Sequence, residues 1–529
     1  MKKRYYFFTI VFCLNAFGQN LIPNYQIGNF IDYNKKRIDG YYDFDYEPKN
    51  SLKVSYKCSD NFTKGFYINA DGLKVNGLLK YSDKNRELKF KLFEKDDVKS
   101  INAYETQGYV IGIDTFSVVK NVMLNGILGG RLSEKSEFAE NIESIGGMKF
   151  YKFTGLKNGN SYIKYLVKQS DTSDFLTFPS GKDKFRNFVG EIFKNDSTLR
   201  DYIENGKYDD QDIPSILKIY KYKRLFNLGQ NIYYNSSNDE INNKTESMYY
   251  SKIESVKDSV FHLNNFFSNN QKIYEGDFTS FYPHNKQGNF LFYFPNGQVR
   301  RQLNFKNNKP KDAIDYFENG KTHRVYKVLG HETIIYQKVY NTDNVDILDK
   351  DGNGNELFED RISGKKIYYE YESKRLKSAY FIDKNGVKIY QLCKNNAELK
   401  NLDILQKEAK ANFKYPLESL ENNRHGFVLV KCLVEPSGLV SELNIIKGLD
   451  VAIDKATLDF LSCFKTEGIW IPGKVDGKRV KQEIIFPIEF SIETSSFYRN
   501  NYNNFMFHNN FMMMQNLMQQ NMIRVGGFR

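Results

Sequence analysis

Cysteine and proline are both scarce in this sequence. Five cysteines and 11 prolines are spread over 529 residues. So few cysteines cannot form the dense disulfide framework that holds small secreted domains together. So few prolines leave no segment of the stiff, extended kind that proline-rich linkers form. The fold therefore has to come from buried apolar side chains.

Long apolar runs are missing as well. After the first 18 residues no stretch approaches the roughly 18 apolar residues that a membrane helix needs, so we expect no membrane helix there. Aromatic residues are abundant, with 38 Tyr and 43 Phe. Disordered chains are poor in aromatics, and 529 residues exceed what one hydrophobic core usually holds. The sequence predicts a multidomain protein of the α+β class.

The first residues have the pattern of an export signal. Lys2, Lys3 and Arg4 precede a mostly apolar run that ends at Phe17, and Ala16-Phe17-Gly18 offers small residues where a signal peptidase cleaves. The run is too short to cross about 30 Å of hydrocarbon comfortably. We interpret residues 1–18 as a cleaved signal peptide. If it stayed uncleaved, it would anchor the protein in the inner membrane.

The chain shows no pattern that is typical of catalysis or of nucleic-acid binding. A net charge of +12 is modest, and Lys and Arg do not gather on one segment. No Gly-x-Ser-x-Gly motif is present. His331-Glu332 lacks the second His of a zinc peptidase, and Gly181-Lys182 lacks the first glycine of a phosphate loop. We predict no enzyme, and no catalytic residue, metal, cofactor, nucleic acid or small-molecule substrate.

Two regions with different periodicity come first. Residues 19–156 contain short apolar segments broken by Gly and Asn turns, which predicts a β-rich N-terminal domain. From 157 to 272 the period becomes helical or mixed. Apolar stripes predict helices around Phe185, around Ile216 with Pro214 in the first turn, and over about 247–267.

Residues 273–395 return to short strands with a repeated turn. Phe292 to Gly297 is echoed by Asp315 to Gly320, with the two glycines 23 positions apart, and a fainter third copy ends at Gly386. Aromatic strands ending in Asn-Gly predict hairpins whose turns need a positive φ. The pattern resembles bacterial MORN-like repeats, which implies a β-ribbon that serves as a spacer or docking surface.

The segment from Asp349 to Gly354 invites a calcium-loop interpretation, because carboxylates at alternate positions with a glycine can surround a hard cation. A full loop of this kind has an apolar residue at its eighth position and a Glu at its twelfth. This chain has Glu356 and Asp360 there. We therefore favour a polar turn between hairpins.

Residues 405–493 predict a small domain of strand, strand, helix and strand. The almost continuously apolar run 427–434 suits a strand covered on both faces, and Pro436-Ser437-Gly438 predicts the turn into a second strand. The helix follows Gly448, with Asp450 and Asp454 near its positive end. In the final strand, Pro487 suits an edge, because proline cannot donate to a sheet ladder. The tail, residues 494–529, is of low complexity.

This region resembles the C-terminal domain of TonB-type energy transducers. The residues that carry the resemblance are Tyr415, Pro416, Gly426, Gly438, Asp454, Ala456, Trp470, Pro472, Gly477 and Pro487. Ser419 departs from the family, which usually has Ala after its Tyr-Pro.

The resemblance implies a periplasmic protein that captures an extended segment of an outer-membrane receptor by adding a strand to its sheet, in support of transmembrane transport. The last strand would be the pairing edge, and Trp470 and Pro472 would fix the connection into it. The partner-binding residues are expected to be Gln482, Ile484, Phe486, Ile488 and Phe490. Their side chains should face the helix, so that only their backbone would meet a partner.

Other interpretations stay open at this point. The missing proline-rich linker argues against force transmission. The alternative is a structural or scaffold protein that binds through the hairpin repeats, with another periplasmic protein or a second copy of the chain as partner. Cys432 and Cys463 are either a disulfide pair or two small buried side chains of one core.

Overall fold

The computed structural model describes residues 25–31, 37–43, 52–57 and 61–493. Within the last range it leaves gaps at 83–86, 113, 121–135, 158–159, 197–198, 201–202, 204–207, 209–211, 235–239, 243, 258–259, 282–283, 295, 330–332, 361–364, 394 and 463–467. The predicted signal peptide, the tail, Cys58 and Cys463 lie outside the described residues. No helix in the described part of the chain is long and apolar enough to cross a membrane.

The described chain divides into two compact units. We call residues 56–223 the N-terminal unit, and residues 52–55, 224–279 and 284–491 the C-terminal unit. The first strands in the chain are β1 (Tyr25–Ile31), β2 (Arg37–Asp43) and β3 (Leu52–Lys57). β1 and β2 form an antiparallel pair.

The N-terminal unit is built on a sheet of ten antiparallel strands, which confirms a β-rich fold there. The strands are β4 (Thr63–Asn69), β5 (Lys74–Ser82), β6 (Glu87–Lys91), β7 (Lys99–Ile101), β8 (Thr106–Ile111), β9 (Asp114–Val119), β10 (Glu137–Ile145), β11 (Met148–Lys157), β12 (Asn160–Lys168) and β13 (Leu176–Thr177). They lie in the order β13-β12-β11-β10-β9-β8-β4-β5-β6-β7. A 3-10 turn, Ala103–Glu105, precedes β8.

Two of the predicted helices follow. α1 (Lys182–Ile192) buries Phe185 and Val189, and α2 (Ile213–Asn227) buries Ile216. Pro214 lies in the first turn of α2, where its missing N–H has no intrahelical partner to lose. Both helical predictions are confirmed.

The C-terminal unit begins with a second sheet of ten strands, which lie in the order β15-β14-β16 and then in sequence to β23. The strands are β14 (Ile232–Tyr234), β15 (Glu240–Ile241), β16 (Tyr249–Lys257), β17 (Val260–Phe267), β18 (Lys272–Phe281), β19 (His284–Tyr293), β20 (Val299–Lys306), β21 (Lys309–Tyr316), β22 (Thr322–Leu329) and β23 (Thr333–Val339). A 3-10 turn, Lys244–Glu246, precedes β16.

The prediction of a helix over 247–267 is wrong, because this segment forms the β16–β17 hairpin. In β17 every second residue is buried, including Phe261, Leu263 and Phe267. The last two also fit a helical stripe, so the two periods could not be told apart from the apolar positions alone. The abundance of aromatic and β-branched residues favours the strand.

The same five-residue turn occurs at eight places in the described part of the chain. In each turn the first N–H donates to the fifth C=O, the fourth N–H donates to the first C=O, and the fourth residue has a positive φ. This geometry is a type I turn closed by one residue in the left-handed region. The fourth residues are Gly72, Asn270, Gly297, Gly320, Asn344, Gly352, Gly386 and Gly438. The positive φ predicted for the Asn-Gly repeats is confirmed.

The candidate calcium loop is one of these turns. The N–H groups of Asp351 and Asn353 both donate to Oδ1 of Asp349, at 2.9 Å each. The carboxylate that would face a cation is therefore engaged with the backbone of its own turn, as the polar-turn interpretation expects.

The last sheet joins the end of the hairpin repeats to the TonB-like region. Its strands are β24 (Gly354–Asp360), β25 (Lys365–Glu372), β26 (Arg375–Ile382), β27 (Lys388–Leu392), β29 (Gly426–Val434), β30 (Val440–Lys447) and β34 (Gln482–Glu493). They lie in the order β24-β25-β26-β27-β34-β29-β30, and β3 also pairs with β34. The remaining strands form two short pairs, β28 (Glu398–Leu399) with β31 (Trp470–Ile471) and β32 (Lys474–Val475) with β33 (Lys478–Arg479).

Three helices complete this region: α3 (Leu402–Asn412), α4 (Leu417–Glu421) and α5 (Val451–Ser462). α5 lies in the chain between β30 and β34, so the predicted order of strand, strand, helix and strand is confirmed. One apolar cluster contains Leu405 of α3, Ile453 of α5 and Val428 of β29. The α+β class is therefore correct, with strands in large excess over helices.

Candidate functional site

β34 is the strand that the sequence singles out for partner binding. β29 pairs with it antiparallel along one side, from Gly426 opposite Phe490 to Val434 opposite Gln482. β30 lies beyond β29 and ends the sheet on that side. In the described part of the chain, the open margin of this sheet next to the helices is therefore β30.

The expectation that β34 forms an open pairing edge is wrong, because its other side carries strands of the same chain. β27 pairs with it in parallel, with Tyr390 opposite Gln482, and β3 pairs farther along. Unpaired N–H and C=O groups beside an apolar core are costly, which is why edges of this kind are usually covered. The contact with β3 is marked by Lys53, whose Nζ lies 3.4 Å from Oε2 of Glu489. Pro487 lies in β34 between Gln482, which is opposite β27, and Glu489. Partner binding along β34 stays a prediction.

Four apolar side chains on one face of β34 point inward, as expected. They are at most 1% exposed and belong to the same cluster as Ile453 and Leu461 of α5. The four residues are Ile484, Phe486, Ile488 and Phe490. Since these side chains are buried in the core, they can influence a partner only through the backbone that they hold in place.

Gln482 has a structural role in this arrangement. It is fully buried, its Oε1 accepts from the N–H of Ala397 at 2.7 Å, and its Nε2 donates to Oδ1 of Asn396 at 2.7 Å. These bonds hold the segment that follows β27 against the start of β34. The side chain is already satisfied, so it has little left to offer to a partner.

β3 is the part of this site that sequence reasoning missed. Leu52 and Val54 are 0% and 5% exposed and belong to the core cluster. On the opposite face, Ser55 Oγ lies 3.0 Å from Ser491 Oγ. The alternation of apolar and polar residues from Leu52 onward indicates a strand, but nothing in it identifies β34 as the neighbour.

Gln406 of α3 is the second missed residue. Its Oε1 accepts from the N–H of Lys53 at 2.8 Å, and its Nε2 donates to the C=O of the same residue at 2.5 Å. One side-chain amide thus satisfies both backbone groups of a β3 residue, as a further strand would.

The Tyr-Pro motif holds the first residues of the domain in place. The hydroxyl of Tyr415 donates to the C=O of Arg424, and its ring packs edge-on against Phe490 at 5.7 Å between centroids. Burial raises the pKa of Tyr415 well above its usual range. Pro416 immediately precedes α4. Ser419, the departure from the family pattern, is fully buried, and its hydroxyl donates to Asp450 at 2.9 Å.

Trp470 is a core residue with a defined neighbour in the β29–β30 turn. It is 3% exposed, and its ring packs edge-on against Phe486 at 5.7 Å. Gly438 has φ 89°, and a Cβ there would lie 2.5 Å from the C=O of Trp470 and 3.8 Å from Cδ of Pro472. Gly438 is thus required both for its backbone conformation and for its closeness to this segment. Gly426 and Gly477 also have positive φ.

Two carboxylates organise the start of α5, as the sequence predicts. Asp450 accepts from the N–H of Ile453 at 2.8 Å, and Asp454 accepts from the N–H of Leu449 at 3.0 Å. Burial raises the pKa of Asp454 to about 7, although the bond from Leu449 opposes the shift. Ala456 lies in the next turn of the helix.

The two described cysteines, Cys393 and Cys432, are both buried. Cys432 is a free, buried thiol in β29, and burial raises its pKa to about 12. Its proposed partner, Cys463, lies outside the described residues. In the part of the chain that the structure describes, no group of three or more His, Cys, Asp or Glu residues could hold a metal ion.

Comparison with known proteins identifies the same region. No curated protein matches the chain. The match to a family model covers residues 411–492, which include α4, α5, β29, β30 and β34. This family is described as the Gram-negative bacterial TonB protein C-terminal, and residues 411–492 are therefore similar to the C-terminal domain of TonB proteins.

Proposed function

We propose that this protein is a periplasmic binding protein whose TonB C-terminal domain engages an extended segment of an outer-membrane receptor by strand addition. The partner follows from the family, and the export signal predicted at residues 1–18 agrees with the compartment. The role would be to support transmembrane transport. No catalytic step is part of this proposal.

One observation carries the proposal: a strand from a distant part of the chain is already added to β34. Ser55 and Ser491, which are in contact, lie 436 positions apart in the sequence. This margin can therefore accept an extended backbone that does not belong to the domain itself. In binding of this kind the main chain supplies affinity, and alternate side chains supply selection.

The proposal is tested by photo-crosslinking in cells. A photoreactive phenylalanine is placed at Glu489, beside the margin that β3 covers, and at Asn444 on β30 as the matched control. We expect adducts between position 489 and the periplasm-facing segments of outer-membrane receptors, identified by mass spectrometry, and none from position 444.

Two outcomes would contradict the proposal. Receptor adducts only from position 444 would assign binding to the β30 margin instead. If neither position captures a receptor while probes on the hairpin repeats capture another periplasmic protein, the alternative of a scaffold protein is favoured. Residue 316 at the end of β21 is a suitable place for such a probe.

A further inference from the structure

β3 occupies the proposed partner site as an external strand would. Its first four residues, 52–55, belong to the C-terminal unit, although the chain that follows them directly, residues 56–223, belongs to the N-terminal unit. It is short, and it pairs with a strand whose own domain starts more than 350 positions later. This separation makes β3 an added element rather than a part of the domain.

Two side chains of β3 enter the core, and the residue between them does not. Leu52 and Val54 are buried, whereas Lys53 between them has a side chain that is 34% exposed. The two buried residues share a cluster with Ile488 and Phe490 of β34. The site therefore selects for aliphatic side chains two positions apart and tolerates a polar residue between them.

Backbone recognition is independent of side-chain identity. Gln406 binds both the N–H and the C=O of Lys53 through its amide. Any residue other than proline presents the same two groups at that position. Gln406 is thus a positioning residue that can hold any extended segment placed on this margin.

Two further side-chain contacts of β3 lie on its outward face. Lys53 and Glu489 form an ion pair at 3.4 Å, and the Ser55 and Ser491 hydroxyls lie 3.0 Å apart on the exposed face. Ion pairs that solvent reaches contribute little to stability, and the Lys53 side chain of this pair is 34% exposed. Residues 52–54 are also held by two buried aliphatic side chains and by the backbone bonds to Gln406, and a competing segment can supply all of these.

We propose that β3 is a displaceable internal strand that stands in for the partner. The partner segment then carries two aliphatic residues at alternate positions, and β3 has to leave before that segment binds. This inference rests on the proposed function, because it specifies the occupant and the regulation of the same site. Since β3 is tethered to the domain, it competes at a high effective concentration and keeps the affinity for free segments low.

The first test locks β3 in place. Ser55→Cys and Ser491→Cys are combined in a Cys58→Ser background, so that the neighbouring thiol cannot exchange. The 3.0 Å between the two hydroxyl oxygens indicates that a disulfide can form. We expect receptor segments to bind the reduced full-length protein and to lose more than about tenfold in affinity when it is oxidised. Each single cysteine variant, treated identically, is the control.

The second test releases β3 instead. Leu52→Asp and Val54→Asp are combined in the full-length protein, and binding of a synthetic peptide with the sequence of residues 50–57 is measured by fluorescence anisotropy. We expect the peptide to bind this variant about tenfold or more tightly than the unmodified protein. Adding Gln406→Ala should then weaken peptide binding about fivefold, as loss of one or two hydrogen bonds predicts.

The matched control is the same peptide with Asp at the positions of Leu52 and Val54, which should not bind. Equal peptide affinity for the released variant and the unmodified protein would overturn the inference. So would equal binding of receptor segments to the oxidised and reduced forms, although the proposed function would then stand. Peptide binding without any receptor binding would keep the displaceable strand and reject the receptor as partner.

Discussion

At the scale of single residues, two buried polar side chains of the C-terminal domain each have a hydrogen-bonding partner at hand. The Ser419 hydroxyl reaches Asp450, and the Gln482 amide reaches Asn396 and Ala397. A buried polar group without a partner costs more than a hydrogen bond gains. The departure from Ala at position 419 is therefore accommodated by an acceptor on Asp450, the residue that precedes α5.

Asp454 makes the stability of this domain depend on pH. Its pKa is about 7 in the folded protein and 3.8 as the ordinary value, because burial disfavours the charged form. The folded state thus favours the protonated carboxyl. The contribution of Asp454 to stability is complete below about pH 4 and is lost as the pH rises through about 7.

We expect Asp454→Asn to remove this dependence. Between about pH 4.5 and about pH 8, the unmodified protein should lose about 2 kcal/mol in free energy of unfolding relative to this variant. The variant is therefore relatively more stable at high pH. Urea unfolding followed by fluorescence of Trp470, the only tryptophan in the chain, measures it. Asp459→Asn, on an exposed face of α5, should show no such change.

At the scale of elements, one five-residue turn recurs at eight places in the described part of the chain. The fourth residue is Gly at six of the eight described turns and Asn at the other two, Asn270 and Asn344. Asn is among the few residues with a side chain that enter the left-handed region readily. The Asn344 turn begins 24 residues after the Gly320 turn, so it continues the repeat although the glycine is missing.

We expect Asn344→Ala to lower the free energy of unfolding by about 1 kcal/mol, because alanine is strained at φ 64°. Asn344→Gly should leave it within about 0.5 kcal/mol of the unmodified protein. The neighbouring exposed Asp343 provides the control, since Asp343→Ala removes a side chain without changing this φ. Urea unfolding followed by circular dichroism compares the three variants. Equal effects at positions 343 and 344 would contradict the assignment.

At the scale of the whole molecule, buried charges join two sheets within the C-terminal unit. Glu356 of β24 accepts from Arg324 of β22 at 2.8 Å and from the Tyr371 hydroxyl at 2.8 Å, and it also contacts His323. Burial alone would raise the pKa of Glu356, but the charges of Arg324 and His323 hold it well below its usual range. The carboxylate therefore stays ionised, and its bonds hold β22 of one sheet next to β24 of the other.

We expect Glu356→Gln to lower the free energy of unfolding by about 3–5 kcal/mol at neutral pH, because it leaves the buried Arg324 without a counter-charge. Glu359→Gln, an exposed change on the same strand, should have little effect. Urea unfolding by Trp470 fluorescence measures both, since β24 belongs to the sheet that contains β34. The depressed pKa also means that this contribution is present above about pH 4.3 and is lost on acidification below it.

Much of the local structure can be predicted from the sequence, because it depends on neighbouring residues. Pro214 at the start of α2, Asp450 before α5 and the glycine turns at Gly297 and Gly320 act within a few positions of themselves. The β16–β17 hairpin cannot be predicted in the same way, since Leu263 and Phe267 fit the spacing of a helix as well as that of a strand. The segment forms strands because it pairs with its neighbours in the sheet.

Local sequence is enough to predict the order of elements in the C-terminal domain, the inward face of β34 and the turns that need a left-handed residue. Which strand lies beside β34 depends on long-range contacts in the folded chain. Strand pairing joins segments of any separation, and Leu52 carries no local sign of Gln406 or Ser491. The occupied margin therefore exists only in the folded chain, where a backbone edge accepts whichever extended segment can reach it. The same holds for the proposed competition between β3 and a partner.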